Sequence, residues 1–378
     1  MIDPVRQEIL SAAQTVVVKV GTNVLTATDG RLDPARMQSL AEQIHHIRQS
    51  GRKVALVSSG AIGAGVGRLG LGVRPTDLRQ LQACAAIGQS FLMRAYQECF
   101  DRHNINTAQI LLTASDFDSR ARYLNARNTI VTLFEWGVLP IINENDTVSV
   151  AEIKFGDNDH LAAMVTNLLQ APLLVLLTIV DGLYSGDPQS DPKAEKIATV
   201  SSIDSLVLGM AGASQSTLGT GGMRSKLRAA RLATAAGESV IMANGSIPGM
   251  LDAIFACEPV GTLFLPHGSA LPAWKRWLGF TAQPKGKLLV NDGATAAVRE
   301  QGKSLLPVGV VAVHGTFHKG DVLSLCDMAG TEFARGLTNY SSADAGKIVG
   351  LRTEKIGEVL GSLPYQEMVH RDNLVVTG

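Results

Sequence analysis

Short, continuous apolar runs rich in β-branched residues recur through the first 265 or so residues: Thr15–Val20, Lys53–Val57, Thr107–Leu112, Val138–Ile142, Leu173–Leu177, Ser239–Met242 and Thr262–Leu265. Longer stretches with apolar residues at helical spacing stand between them, at Pro34–Gln49, Leu78–His103, Tyr123–Glu135, His160–Leu169 and Leu227–Ala236, the last closed by Gly237 as a C-cap. Runs that are apolar throughout belong to strands buried on both faces. The alternation therefore predicts an α/β fold, a mostly parallel sheet sandwiched by helices. Ligands of such sheets bind beyond the carboxyl ends of the strands, so the residues that follow each run are the candidates for chemistry.

The pattern changes after Pro266. Residues 267–283 have no clear period and are punctuated by proline, which predicts a linker between a domain at 1–266 and a second at 284–378. The second stretch carries short β-like pieces, Lys287–Val290, Val308–Val313 and Asp321–Leu325, with turn signals at Asn291-Asp292-Gly293 and His318-Lys319-Gly320. It reads as a small β-rich domain. The length of 378 residues fits two domains at about 150 residues each. No internal repeat or low-complexity tract interrupts either part.

Composition narrows the function. With 46% hydrophobic and 18% charged residues the chain folds as an ordinary globular protein. Lys+Arg and Asp+Glu both number 34, so a phosphate site has to be local. Residues 284–378 hold ten cationic and ten anionic side chains, which argues against nucleic-acid binding by the tail. Cys84, Cys99, Cys257 and Cys326 are widely spaced and form no C-x-x-C pair, which points to a reducing cytoplasm rather than a disulfide framework or zinc ribbon. The amino terminus lacks a signal-like apolar stretch, and the longest apolar run, Leu173–Val180, is far short of the ~20 residues of a membrane span.

Four places carry candidate chemistry. The first run leads into Lys19-Val20-Gly21, where a lysine at a strand end either snorkels to water or meets an anion that Gly21 lets approach. The second ends in Ser58-Ser59-Gly60-Ala61-Ile62-Gly63-Ala64-Gly65, a small-residue loop opening onto a helix; it suits a carboxylate or phosphate, or merely a tight packing turn. The literal G-x-G-x-x-G at Gly65, Gly67 and Gly70 begins about seven residues past the strand, too late for a dinucleotide turn, and this disfavours a dehydrogenase. Asn143-Glu144-Asn145-Asp146 and Gly156-Asp157-Asn158-Asp159 form two polar tetrads, denser than helix capping requires and able to receive an ammonium group or a hard divalent cation. Glycines from Gly219 to Gly222 lead into Met223-Arg224-Ser225-Lys226 at the head of a helix, the strongest local phosphate signal, without the order of a Walker loop. His314 and His318 have metal-like spacing but no supporting ligands, and no G-x-S-x-G elbow accompanies the histidines.

Taken in order, VVVKVGTNVLT, VSSGAIGAG, LNARNT, INENDTV, EIKFGDNDHLAA, DGLYSGDP and LGTGGMRSKLRAA resemble the bacterial glutamate 5-kinases of the amino acid kinase family, and the stretch from about Pro284 resembles a PUA domain. The resemblance implies ATP with Mg2+ as cofactor and the γ-carboxylate of L-glutamate as phosphoryl acceptor. It implies Lys19, Lys226 and Asp159 as catalytic, with Asp159 orienting the two lysines. Ser59, Gly60, Asn143, Asp146, Asp157 and Asn158 would bind substrate. Lys19, Gly21, Thr178, Ile179, Thr220, Gly221, Gly222, Met223, Arg224, Ser225 and Lys226 would hold the nucleotide. The family commonly has Thr-Asp where this chain has Thr178-Ile179, so the chain departs from the family pattern at a side-chain contact near the nucleotide and leaves that place to backbone contacts. Proline as feedback inhibitor, a γ-glutamyl phosphate reductase as pathway partner, a cytoplasmic location and a homo-oligomer, dimer or tetramer, are further expectations from the same source. Relatives acting on another acid or on a nucleoside monophosphate share the glycine loops without the two tetrads, and an RNA-binding role for the tail is the remaining alternative.

Overall fold

The computed structural model describes residues 3–27, 31–149, 158–188, 191, 193–210, 222–267, 273–361 and 365–377. The chain divides into two compact units, Met1–Ala270 and Leu271–Gly378. Strands of the first are β1 (Thr15–Val20), β2 (Lys53–Ser58), β3 (Thr107–Leu112), β4 (Leu139–Glu144), β5 (Leu173–Thr178), the short β6 (Leu183–Tyr184), β7 (Lys196–Ile197) and β8 (Thr199–Val200), then β9 (Ser239–Asn244) and β10 (Thr262–Phe264). All but β6 and β7 form an eight-stranded sheet in the order β3-β4-β2-β1-β5-β9-β10-β8, parallel except where β10 runs against β9. Strand β5, Leu-Leu-Val-Leu-Leu-Thr, is buried along its whole length, as a central strand covered on both faces must be.

Four strands run past the apolar segments that announced them. Ser58 still pairs with Val20, Asn143 and Glu144 with Leu111 and Leu112, and Thr178 with Asn244. The ladder uses backbone groups and continues regardless of side-chain polarity, so the first tetrad begins inside β4 rather than in a loop. Polar side chains are thereby held on rigid backbone at the carboxyl ends of β1, β2, β4 and β5.

The helices begin where their caps dictate. Asp33 accepts the N–H groups of Ala35 (2.9 Å) and Arg36 (3.2 Å) ahead of Pro34–Gln49, and Asp77 accepts that of Gln80 (3.2 Å) ahead of Leu78–Asp101. Helix Met223–Ala236 ends at Gly237 with φ of 99°, the expected C-cap. After β2 only Ser59 and Gly60 intervene before a helix Ala61–Leu69, and Gly60 has φ of 111°, a conformation natural to glycine.

Helix Ala61–Leu69 lies in backbone contact with Leu78–Asp101. A Cβ on Gly65 would stand 1.9 Å from the Cys84 carbonyl oxygen, and one on Gly88 1.8 Å from that of Ala61. Gly65 of the literal G-x-G-x-x-G thus serves helix packing. Gly88→Ala is expected to destabilise the protein by about 3 kcal/mol, because two backbones would have to separate; urea unfolding measures it, and an unchanged midpoint would mean that the helices part freely.

The second unit carries β11 (Gly286–Val290), β12 (Val310–His314), β13 (Val322–Cys326), β14 (Glu332–Leu337) and β15 (Leu374–Val376), in the order β12-β11-β13-β14-β15, with only β11 and β13 parallel. Its core gathers Leu288, Phe317, Leu323, Leu325 and Phe333. The turn signal at Asn291 proves to be a cap: its Oδ1 accepts the N–H of Ala294 at 2.9 Å and starts a helix Asp292–Gln301. Within residues 267–283 the described part is helical at Ala273–Arg276 and Trp277–Thr281, where the sequence predicts an irregular linker. His314 and His318 are both exposed, and no group of three or more His, Cys, Asp or Glu able to hold a metal occurs among the described residues. No described helix is long and apolar enough to cross a membrane.

Candidate functional site

Lys19 lies on β1 between Val57 of β2 and Leu176 of β5, one residue before the strand ends. Asp159 opens helix Asn158–Leu169, and Lys226 lies in the first turn of helix Met223–Ala236, which packs on it. These three elements bring together side chains far apart in the sequence. Lys19 Nζ is 2.6 Å from Asp159 Oδ1, and Lys226 Nζ is 3.1 Å from Asp159 Oδ2; Ser225 Oγ donates to the same Oδ2 at 3.2 Å. All three charged residues are buried, at 5%, 0% and 8% exposure for Lys19, Asp159 and Lys226.

Burial by itself would push the Asp159 carboxyl up. The two ammonium groups and the hydrogen bonds they donate outweigh that, and hold it well below the usual carboxylate range. One carboxylate shared by two ammonium groups leaves the trio with one positive charge in excess, an arrangement that an anion completes. A Cβ on Gly21 would stand 3.6 Å from Lys19 Nζ, so glycine keeps the space beside the ammonium open.

A second set of polar groups joins the ends of β2 and β4. Asn158 Nδ2 donates to Ser58 O (3.0 Å), Ser59 Oγ (3.0 Å) and Asn143 Oδ1 (2.8 Å). Its amide N–H groups are thereby committed, and its Oδ1 remains the atom able to accept from a ligand. Asn158 and Asp159 are neighbours at one helix N-terminus, so the amide network and the ammonium pair adjoin.

Most candidate residues from the sequence fall at this edge of the sheet. Asn143 and Asn158, one from each tetrad, touch; Ser59 and Gly60 join them, and Asp146 is half-buried in the turn after β4. Thr178 is buried at the end of β5, where its carbonyl accepts the N–H of Gly245 at 2.8 Å, whereas Ile179 is half-exposed. Gly222, Met223 and Arg224 lead into Lys226, with the Arg224 side chain exposed. Asp157, Thr220 and Gly221 lie outside the described residues. Sequence reasoning missed Gln89 and Tyr96, which back the site from helix Leu78–Asp101. Gln89 Oε1 accepts from Asn143 Nδ2 at 2.8 Å, and the Tyr96 hydroxyl bonds Ser58 Oγ at 2.8 Å. The available signal was a glutamine on an otherwise apolar face, with Cys84, Ala85, Leu92 and Phe100.

A mostly parallel sheet with a carboxylate-clamped pair of buried ammonium groups near its strand ends defines an α/β protein with a buried cationic site. The description of the amino acid kinase family matches residues 14–244, and that of the PUA domain residues 286–360. The chain belongs to the amino acid kinase family and carries a PUA domain at its C-terminal end. It is similar over nearly its whole length to curated proteins named glutamate 5-kinase. That of Geobacter sulfurreducens is 49% identical over 371 residues, 98% of this chain and 100% of the relative. That of Desulfotalea psychrophila is 47% identical over 372 residues, 98% of this chain and 99% of the relative.

Proposed function

We propose that this chain is a glutamate 5-kinase, transferring the γ-phosphoryl group of ATP to the γ-carboxylate of L-glutamate. The observation that carries this reading is the buried trio of Lys19, Asp159 and Lys226. A carboxylate acceptor is already ionised near neutral pH and needs no general base, so the site's task is electrostatic. A carboxylate oxygen bonds to the γ-phosphorus, the bond to the bridging oxygen breaks, and its electron pair leaves with ADP; no proton moves. Lys19 and Lys226 counter the charge of the phosphoryl group in transit, and Asp159 fixes both ammonium groups before the substrates arrive.

On the acceptor side, Asn158 presents an oxygen to the substrate ammonium group. Asn143 orients it, and Ser59, Gly60, Asp146 and Asp157 complete the pocket. On the donor side, Gly21, Thr178 and the stretch from Thr220 through Gly221, Gly222, Met223, Arg224 and Ser225 hold the nucleotide. At Ile179 the contact is left to the backbone, since an apolar side chain offers no polar group. Magnesium would enter with ATP as its counterion and supply charge neutralisation there; the described residues offer no cluster of three or more His, Cys, Asp or Glu to hold it.

The product is an acyl phosphate, a form that a reductase consumes; this reading puts the reaction at the start of proline synthesis, in the cytoplasm. Proline, sharing an α-carboxylate and an ammonium group with glutamate, would inhibit by overlapping the pocket from Asp146 to Asn158. Inhibition unmoved by saturating glutamate would contradict that overlap. Self-association as a dimer or tetramer is an expectation that rests on the family resemblance alone.

Hydroxylamine provides the direct test. With ATP, magnesium and glutamate the full chain is expected to accumulate a hydroxamate, the trapped form of an activated carboxyl. Release of ADP with a nucleoside monophosphate or a different acid, and none with glutamate, would replace this reading with that of another family member.

A further inference from the structure

Three side-chain amides, Gln89, Asn143 and Asn158, form a line through the acceptor side, and its direction is set by backbone groups at Asn143 and at Asn158. Asn143 Oδ1 accepts the N–H of Glu144 at 2.8 Å, which an amide nitrogen could not do. Asn143 Nδ2 therefore faces Gln89 and donates to its Oε1 at 2.8 Å. At the other end Asn158 Nδ2 donates to the Ser58 carbonyl, so its nitrogen faces the protein and its oxygen faces away. Each link follows from the one before.

Gln89 is the terminus of this line and is 9% exposed, with its own Nε2 buried and unpaired. Leaving one buried donor unsatisfied is costly, and the glutamine nevertheless turns its oxygen toward Asn143. Its helix cannot shift to relieve the cost, because Gly88, the adjacent residue, is in backbone contact with Ala61 at the head of the helix after Ser59-Gly60. Seven residues on, the same face presents Tyr96 to Ser58 Oγ; burial raises the Tyr96 phenol above its ordinary pKa, so it remains an uncharged hydroxyl.

We propose that Gln89 is a positioning residue for the acceptor substrate: it polarises and braces Asn143, which together with the Ser58 carbonyl holds Asn158 with its oxygen toward the substrate ammonium group. The inference rests on the glutamate reading above and deepens it. Without an acceptor at position 89, Asn143 has no partner for its Nδ2. The amide line loses the partner at its buried end, and Asn143 is then held by its Oδ1 alone, so the acceptor beneath Asn158 Nδ2 is less firmly placed and less polarised.

Gln89→Met, which keeps volume and removes both polar atoms, is expected to raise the KM for glutamate about tenfold, the size of one buried hydrogen bond, while the KM for ATP stays within twofold. In an Asn143→Ala background the same change is expected to add less than about twofold, because the relay is already cut. Gln89→Glu keeps an acceptor toward Asn143 and is expected to hold the glutamate KM within about threefold of the unmodified protein. Equal effects on both substrates, a full tenfold loss added to Asn143→Ala, or a tenfold loss in Gln89→Glu would overturn the proposal; the glutamate variant carries the test should the methionine variant not fold. Hydroxamate formation by the unmodified chain is measured alongside. Its absence would defeat the glutamate reading, whereas its presence with unmoved KM values would defeat only the role of Gln89.

Discussion

Lys19→Ala and Lys226→Ala are each expected to fold and to lose roughly two to three decades of kcat, about 3 to 4 kcal/mol of transition-state stabilisation, by analogy with removal of one preorganised oxyanion donor. The size follows from burial. Both ammonium groups stand where water is largely excluded, at 5% and 8% exposure, so solvent cannot take over the countercharge when one is removed. Each single variant still leaves Asp159 one partner, at 2.6 Å or 3.1 Å, and the carboxylate stays charged and bonded. That separates a catalytic loss from an unfolding loss. Steady-state turnover measured beside a thermal midpoint makes the distinction, and near-normal kcat in either variant would remove that lysine from the mechanism.

Asp159→Asn is the change with the largest combined effect. Replacing the shared carboxylate by a neutral amide leaves two buried ammonium groups without their anion, and the loss of a buried partner costs about 3 to 5 kcal/mol. Turnover should fall with it, since nothing then holds the two nitrogens in register for the phosphoryl group. The pH dependence has a definite sign. The carboxyl is held below its unfolded value of about 3.9, so its contribution to stability is fully present above that pH and is lost as pH falls toward its depressed folded value. The unmodified chain should therefore lose stability more steeply than Asp159→Asn when acid titrations are carried below about pH 4. Parallel slopes for the two proteins would show that the carboxylate is not stabilised by its ion pairs.

The amide relay was the least legible part of the site. Asn143 and Asn158 stood out as members of polar tetrads, but their contact joins a strand to a helix across a gap of fifteen positions that includes residues outside the described structure. Gln89 gave one faint sign, a polar residue on an apolar helical face, which by spacing alone is a core oddity. The strand ends were misjudged for a related reason: polarity marked a loop at Asn143 and Glu144, while the ladder to Leu111 and Leu112 continued beneath those side chains. The cap at Asn291 looked like a turn because asparagine serves both, its side-chain oxygen accepting a free N–H in either setting.

The order of apolar runs and helical periods was enough to determine a mostly parallel α/β sheet followed by a smaller β-rich unit, since burial of those runs on two faces admits few other arrangements. The same string of residues placed Lys19 near the end of one strand and the first tetrad after another, and marked the second tetrad and the glycines before Met223 as the heads of helices. That Asp159 orients Lys19 and Lys226 came only as what the family resemblance implies, and neither the contact itself nor the atom of Asn158 that faces the ligand was determined by the residue pattern. Those depend on distances between side chains 67 and 140 residues apart, and on backbone groups at Glu144 and Ser58 that orient the amides. Packing of the sheet and its helices brings these groups within hydrogen-bond reach, and no local pattern encodes that approach.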